Sequence, residues 1–204
     1  MTADGSYVRQ LDQPAQFGVD EPGYGPQSNG AFEGLSLSWS GRHLVTTMES
    51  SLYQGGPNAA VNRITFYRKR SGEPVRQFAY RMDPLKDNGI TEILAETPHR
   101  YLVVERNVVE GEGNSIRVYR IDLRGATDVL GRDSLANGDY RPVRKELVVD
   151  FADLRTEGLQ QVDNIEAMSW GPRLPGGERS LVFVSDDNFG DTQVTQVVAL
   201  AVRR

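Results

Sequence analysis

Three short stretches, Glu33-Gly34-Leu35, Glu92-Ile93-Leu94 and Glu166-Ala167-Met168, decide the fold of this chain, because each places an acid at the start of an apolar run. Each is followed by a turn and then by an apolar strand that ends in an acid. Those second strands span residues 44–49, 102–105 and 181–186. The spacing of the three copies indicates an internal repeat of one strand-based unit.

A second pattern repeats in step with the first. Val8-Arg9-Gln10, Val75-Arg76-Gln77 and Val143-Arg144-Lys145 each follow a turn that contains glycine, at offsets of 67 and 68 residues. Together the two patterns indicate a unit of four strands that is used about three times. Four-stranded units repeated in line are typical of the blades of a β-propeller.

Short runs of β-branched and aromatic residues between Gly, Pro, Asn and Asp clusters predict strands along the whole chain. The predicted strands span residues 7–11, 35–39, 43–48, 63–68, 75–80, 93–95, 101–105, 116–122, 145–151, 167–170, 181–185 and 195–202. Only residues 151–161 have a weak helical pattern, which Gly158 interrupts. We therefore predict an all-β fold of propeller blades, about three four-stranded units that form a partial propeller.

A closed propeller ring usually takes about 4 to 8 blades, which is more than this chain holds. The chain also opens on what resembles the last strand of a blade whose other strands are absent. We therefore expect residues 1–204 to form one domain that is incomplete at its amino terminus. The preferred interpretation is the carboxy-terminal half of a longer protein, and the other is closure by a second chain. A β-sandwich, which also has many short strands, is the alternative fold.

Composition excludes several classes of function. The net charge of −5 gives no basic field for nucleic acid, and the longest apolar run, residues 197–202, is too short to span a membrane. The amino terminus lacks a signal-peptide pattern. Without cysteine there is no thiol chemistry, and the only two histidines, His43 and His99, are too far apart for a two-histidine metal motif on one helix. Nucleophile-elbow, phosphate-loop and dinucleotide motifs are absent from the sequence.

Carboxylates are the abundant chemical groups, with 28 Asp and Glu residues. In a propeller the innermost strands line a central channel, so Glu33, Glu92 and Glu166 are predicted to converge there as catalytic acids. Clustered carboxylates need a positive partner, and the candidates are calcium, which suits oxygen ligands, and the nearby Arg63 and Arg106. The alternative is that these acids tie blades together by accepting hydrogen bonds from backbone amides. The predicted metal ligands are the acids that end the second strands and the acid that follows: Glu49, Glu105, Asp186 and Asp187.

Residues 185–191, Ser-Asp-Asp-Asn-Phe-Gly-Asp, form an oxygen-rich loop with a glycine, which suits calcium but equally a solvated turn. Within it Asn188 is a candidate for substrate binding. Arg63 and Arg106 lie at strand ends and are the other candidates, because a guanidinium binds phosphate or carboxylate with two hydrogen bonds. Solvated salt bridges are the alternative, since the chain has 20 Arg and 3 Lys.

Several of these stretches resemble the phytase-like family, whose members are described as having esterase-like activity. The matching segments follow the family's order and cover most of the chain from Asn29 onward. They are Asn29-Gly30-Ala31-Phe32-Glu33-Gly34-Leu35, Met48-Glu49-Ser50-Ser51-Leu52, Arg63-Ile64, Glu105-Arg106, Asp163-Asn164-Ile165-Glu166-Ala167-Met168 and Ser185-Asp186-Asp187-Asn188-Phe189.

The resemblance implies a propeller fold, calcium dependence, hydrolysis of phosphoric or carboxylic esters, an anionic small-molecule substrate, and a secreted or periplasmic location. This chain departs from the family in two respects. Ala167 stands where the family usually has glycine, and the amino-terminal half of the family's pattern is missing. Two functions follow as expectations: a calcium-assisted ester hydrolase, which is preferred, and a non-catalytic propeller module that binds a ligand and uses calcium only for its structure.

Overall fold

The computed structural model describes residues 2–56 and 59–202, and in these ranges the chain forms three antiparallel sheets. We call them blade 1 (β1–β4), blade 2 (β5–β8) and blade 3 (β9–β11). The strands are β1 Phe32–Leu37, β2 His43–Met48, β3 Val61–Arg68, β4 Pro74–Arg81, β5 Gly89–Ala95, β6 Arg100–Val109, β7 Gly113–Asp122, β8 Arg144–Asp150, β9 Ile165–Arg173, β10 Arg179–Ser185 and β11 Val197–Val202.

The blades stand side by side, with their first strands together. Strand β1 contacts β5, and β5 contacts β9, so these three strands form the inner edge of the array. Each later strand pairs with the one before it, which carries the sheets outward. This arrangement confirms the predicted partial propeller. The third unit differs from the prediction of four strands, because blade 3 has three among the described residues.

Two cores hold the array together, one at each junction between blades. Between blades 1 and 2, Phe66 packs edge-on against both Phe78 and Tyr101 at ring-centroid distances of 5.8 and 5.7 Å. Between blades 2 and 3, Phe151 packs against Phe183 at 5.1 Å. Burying each such aromatic side chain contributes about 1.5–3 kcal/mol, so the blade-to-blade contacts are the main source of stability.

Most predicted strands are confirmed, generally with longer ends, but two differ. Residues 7–11 form no strand, because they pair with no other strand; Asp12 N instead donates a hydrogen bond to Gly72 O at 3.1 Å, in the connection between β3 and β4. Strand β1 covers Phe32–Leu37 rather than 35–39, because the chain turns after Leu37. Gly41, with φ of 68°, permits that turn and donates to Ser38 O.

The weak helical pattern at residues 151–161 forms one short helix, α1 Phe151–Leu154, followed by a 3-10 turn Arg155–Glu157. The Asp150 carboxylate caps α1 by accepting from Ala152 N at 3.0 Å. Gly158, with φ of 106°, ends the turn, as the sequence predicted. In the described part of the chain no helix has the length and apolar character to cross a membrane.

Candidate functional site

Acids of blade 1 and blade 3 lie around one arginine, Arg106 on β6 of blade 2. Its Nη2 lies 2.8 Å from Glu49 Oε1 and its Nη1 lies 3.3 Å from Glu166 Oε1. Nη1 also donates to Asn164 Oδ1. Glu49 directly follows β2 of blade 1, and Glu166 lies on β9 of blade 3, so Arg106 of blade 2 joins all three blades. We call Glu33, Glu49, Glu166 and Arg106 the open cluster.

Glu33 belongs to this cluster but forms no ion pair among the described residues. Burial raises the pKa of the Glu33 carboxyl, the charges of Glu49 and Glu166 raise that pKa further, and Arg106 opposes them. The neighbouring Gly34 explains how β1 approaches β5 here. A Cβ at Gly34 would lie 3.0 Å from the Ile93 backbone nitrogen and would also overlap Thr47, so the close contact requires glycine.

Glu49 is mostly enclosed, with 15% of its side chain exposed. Burial raises the pKa of Glu49, Arg106 opposes that shift, and the charge of Glu166 adds to it. Gly89 on β5 leaves room for the Glu49 side chain, because a Cβ there would come within 2.7 Å of Glu49 Cγ. The open cluster therefore combines three carboxylates with one guanidinium, and it is electronegative when all groups are ionised.

The third predicted catalytic acid, Glu92 on β5, lies beside the open cluster but has different partners. Its Oε1 accepts from Leu35 N at 3.1 Å and from Ile93 N at 2.8 Å. Burial raises the pKa of Glu92, while backbone hydrogen bonds from Ile93, Leu35 and Met168 lower it. Glu92 thus accepts hydrogen bonds from the inner strands of blades 1 and 2, which is the tying role that the sequence left open as the alternative.

Glu105, a predicted metal ligand, occupies a second acidic site that we call the closed cluster: Tyr80, Asp83, Asn88, Glu105 and Lys145. The Glu105 side chain is 3% exposed. It accepts from Lys145 Nζ at 2.6 Å, from Asn88 Nδ2 at 2.7 Å, from Asp83 N at 3.0 Å and from the Tyr80 hydroxyl. Lys145 Nζ also lies 2.6 Å from Asp83 Oδ1. Every oxygen of Glu105 therefore already has a protein donor.

The other predicted metal ligands, Asp186 and Asp187, lie in the loop after β10. Asp186 Oδ1 accepts from Asn188 N at 3.1 Å, and Asp187 Oδ1 accepts from Phe189 N at 2.9 Å. The Phe189 backbone bond and the Thr195 hydroxyl lower the pKa of the Asp187 carboxyl. Asn188 and Phe189 both have positive φ, of 49° and 55°. These contacts make the segment a tight hydrogen-bonded turn at the surface.

Arg63, which the sequence predicted to bind substrate, is buried and donates its hydrogen bonds to other groups of the protein. It is 2% exposed, and burial lowers the pKa of its guanidinium to about 10. Its Nη1 donates to Gln77 Oε1 at 2.6 Å and to Arg132 O at 2.9 Å, and its Nη2 donates to Asp133 O at 2.8 Å. Arg63 thus holds the loop between β7 and β8 against blade 1, whereas Arg106 alone of the two predicted arginines meets the acids.

The four predicted metal ligands do not come together as a calcium site. Glu49 is paired with Arg106, Glu105 with Lys145, and the two aspartates bond to their own turn. Over residues 2–56 and 59–202, no group of three or more Asp, Glu or His side chains is placed to hold one ion. These residues as placed do not fit calcium, and calcium dependence stays a prediction.

Several residues that contact the groups of these clusters were not singled out from the sequence, among them Asn164 and Lys145. Asn164 accepts from Arg106, and the signal that could have found it was its position two residues before Glu166, in the segment that resembles the family. Lys145 neutralises Glu105, and its signal was the rarity of lysine, which occurs three times in the chain. Neither pattern alone distinguishes a site residue from a surface residue.

A cleft of about 1010 Å³ lies elsewhere, at the opposite end of the inner strands. Its lining includes Trp39, Glu96, Trp170, Arg173 and Arg179. In this cleft Arg120 donates two hydrogen bonds to the Glu96 carboxylate, from Nε to Oε2 and from Nη2 to Oε1, each at 2.8 Å. The open cluster is the stronger candidate for chemistry, because it brings together side chains from all three blades and includes two carboxyl groups, Glu33 and Glu49, whose pKa values are raised.

Comparison with known proteins gives one match. The family model described as "Phytase-like: Esterase-like activity of phytase" matches residues 1–189, which is most of the chain. The curated proteins and the solved structures contain no match to this chain.

Proposed function

The chain belongs to the phytase-like family, and from that premise we propose that it hydrolyses esters of phosphoric or carboxylic acids at the open cluster. Membership of this family suggests an esterase or other hydrolase activity. The observation that carries the proposal is the convergence of Glu33, Glu49 and Glu166 on Arg106. Hydrolysis needs a base to activate water and a positive group to stabilise developing negative charge, and this cluster offers both.

Glu33 is the proposed general base. It is the exposed acid of the cluster, and its raised pKa makes it a better proton acceptor than an ordinary glutamate. In the proposed step the water oxygen forms a bond to the acyl carbon or to phosphorus while Glu33 takes the water proton. The bond to the leaving alcohol oxygen then breaks, and the protonated Glu33 returns a proton to that oxygen.

Arg106 is the proposed electrostatic group, because its guanidinium pairs with Glu49 and Glu166 and its charge lowers the pKa of Glu33. Glu49 and Glu166 act as positioning residues that hold it, together with the Asn164 side-chain oxygen. Since Glu49 comes from blade 1 and Glu166 from blade 3, the orientation of Arg106 depends on the packing of the whole array.

The charge of the open cluster bears on the substrate. Three carboxylates and one guanidinium repel a phosphate ester more than a neutral carboxylic ester. We therefore propose that carboxylic esters are hydrolysed without added metal and faster than anionic phosphate esters. Calcium dependence remains the prediction made from the sequence, and assays with calcium and with a chelator test it.

The second function, a non-catalytic binding module, has its own support. Glu92 and Glu105 are both occupied by structural hydrogen bonds, so acids at repeated positions in this fold do serve to join elements. For such a module we expect no ester turnover. Calcium, where bound only by the folded state, should raise its melting temperature with concentration.

The test is hydrolysis of p-nitrophenyl acetate and p-nitrophenyl phosphate by the purified chain, each with calcium and with a calcium chelator. We expect Glu33→Gln to reduce turnover of the accepted ester by about 100-fold or more. Glu110→Gln, in the exposed turn between β6 and β7, is the matched control and should keep wild-type turnover. Absence of turnover with both esters, or equal turnover in Glu33→Gln and wild type, would overturn the proposal.

A further inference from the structure

The edge of blade 3 is incomplete in a way that the chain itself can correct. Blades 1 and 2 each have four strands, whereas β11 in blade 3 pairs only with β10. The outer edge of β11 therefore presents backbone groups that have no strand partner among the described residues. An unpaired edge of this kind is a template for the addition of another strand.

The repeated Val-Arg-Gln pattern identifies the sequence of a fourth strand. Its second copy, Val75-Arg76-Gln77, lies on β4, the fourth strand of blade 1. Its third copy, Val143-Arg144-Lys145, leads into β8, the fourth strand of blade 2. Its first copy, Val8-Arg9-Gln10, lies in no sheet in the described structure. The chain thus contains a fourth-strand sequence without a sheet and a sheet without a fourth strand.

The first copy is exposed and outside every sheet of the described structure. Tyr7 and Val8 are 77% and 56% exposed, which is unusual for apolar residues in a repeat whose other copies lie in sheets. The segment is attached to blade 1, where Arg9 donates to Lys69 O and Asp12 N to Gly72 O. Blade 1 and blade 3 are at opposite ends of the array, with blade 2 between them, so residues 7–11 do not lie beside the β11 edge of their own copy.

We propose that residues 7–11 of one copy of this chain add to the β11 edge of a second copy, and that the exchange is reciprocal. Each copy then completes three blades of four strands, and the pair has six blades. Six lies within the range of about 4 to 8 blades that close a propeller ring. A two-fold pair of this kind uses each interface twice, which is the most common symmetry of soluble assemblies.

The two end faces of the array support the same pairing. On blade 1, Leu35 and Leu37 of β1 are 59% and 46% exposed. On blade 3, Val197 is 68% exposed, and Ala199 and Ala201 on the same side of β11 are exposed as well. A closed pair would bring the end face of one copy against that of the other, as the inner blades already pack on one another.

The pairing of the complete blades also predicts the register. Gln77 lies opposite Thr65, three residues before the end of β3, and Lys145 lies opposite Ile121, one residue before the end of β7. Equivalent pairing with β11, which ends at Val202, puts Gln10 opposite Ala199 or Ala201.

The experiment uses the absence of cysteine from the natural chain. Purified Gln10→Cys protein is mixed with Ala199→Cys protein or with Ala201→Cys protein and then oxidised. We expect a covalent product of about 45 kDa, twice the chain mass of 22.7 kDa, that contains one molecule of each variant. Glu110→Cys, in an exposed turn of blade 2, replaces the β11 variant in the control and should give no mixed product.

Light scattering on the cysteine-free protein tests the assembly itself. We expect a dimer, and we expect Arg9→Pro with Gln10→Pro to raise its dissociation constant at least tenfold, because proline cannot donate to the sheet edge. Asp20→Pro with Glu21→Pro, in an exposed connection, is the matched control. A monomer at every concentration, a dimer that resists the Arg9 and Gln10 substitutions, or cross-linking no stronger than the Glu110→Cys control would overturn the proposal.

Discussion

The open and closed clusters use the same residue types for opposite results. In the closed cluster Glu105 is almost entirely buried, and four donors, including Lys145, bind its oxygens. In the open cluster Glu33 remains exposed, and three carboxylates compete for one arginine. Yet Glu49 lies directly after β2 and Glu105 lies on β6, the second strands of blades 1 and 2, and their positions in the sequence repeat are equivalent.

The difference teaches that a repeated position fixes where an acid lies but not what it does. What decides is the number of donors that the neighbouring strands bring. Lys145 and Tyr80 complete the closed cluster with charge and hydrogen bonds, whereas Arg106 is shared between two blades and leaves negative charge in excess. A satisfied acid stabilises the fold, and an acid left with excess negative charge is free to accept a proton.

The largest effect that we expect is on the closed cluster. Lys145→Met removes the cation while Glu105 and Asp83 stay in place, so a buried carboxylate loses its partner. Breaking a buried ion pair in this way costs about 3–5 kcal/mol of unfolding free energy. The measurement is urea denaturation of wild type and variant near neutral pH.

The control for that substitution is Lys86→Met. Its side chain is 89% exposed, and its ion pair with Asp87 spans 3.8 Å. An exposed pair contributes little, so this change should stay within about 0.5 kcal/mol of wild type. Similar losses in the two variants would remove the distinction between a closed, structural cluster and an ordinary surface charge.

A smaller loss is expected at Glu92, which ties the inner strands. Glu92→Ala leaves the Leu35 and Ile93 amides without their acceptor, which costs about 1–3 kcal/mol. Glu92→Gln keeps a side-chain oxygen and should lose clearly less. Thermal unfolding of the two variants makes the comparison, and a stable Glu92→Ala protein that has lost ester turnover would instead assign Glu92 to the chemistry.

The smallest effect concerns pH and the open cluster. Because the pKa values of Glu33 and Glu49 are raised on folding, the folded state holds these protons more tightly. Their contribution to stability is therefore present below the unfolded pKa and is lost as pH rises through the folded pKa. Glu33→Gln should raise the unfolding free energy at about pH 8, by up to about 0.5 kcal/mol, and have little effect at about pH 4. Denaturation at both pH values checks the sign, and destabilisation at pH 8 would show that the Glu33 charge is favourable.

Much of the fold could be predicted from the sequence, because each strand is formed by consecutive residues and the repeated patterns mark where those residues lie. The two patterns located the inner strands through Glu33, Glu92 and Glu166 and the outer strands through Val75 and Val143. The prediction of a strand at residues 7–11 was wrong for a physical reason. These residues have the sequence of a strand, but a strand requires a partner strand, and in the described structure they pair with none.

The site was less predictable, because side-chain partners come from distant segments. The convergence of Glu33 and Glu166 follows from the repeat, but Arg63 and Arg106 are indistinguishable by sequence position. Arg63 is enclosed by a loop some 70 residues away, whereas Arg106 faces the acids. Which arginine meets which acid depends on tertiary contacts that no local pattern encodes.

The most direct test of the open cluster as the catalytic centre is the pH dependence of kcat/KM for ester hydrolysis in wild type and in Glu49→Gln. If Glu33 is the base, its pKa sets the acidic limb of the profile. Removing the Glu49 charge lowers the pKa of Glu33, so the account predicts that the limb moves to lower pH in the variant. An acidic limb at the same pH in both proteins would contradict the account.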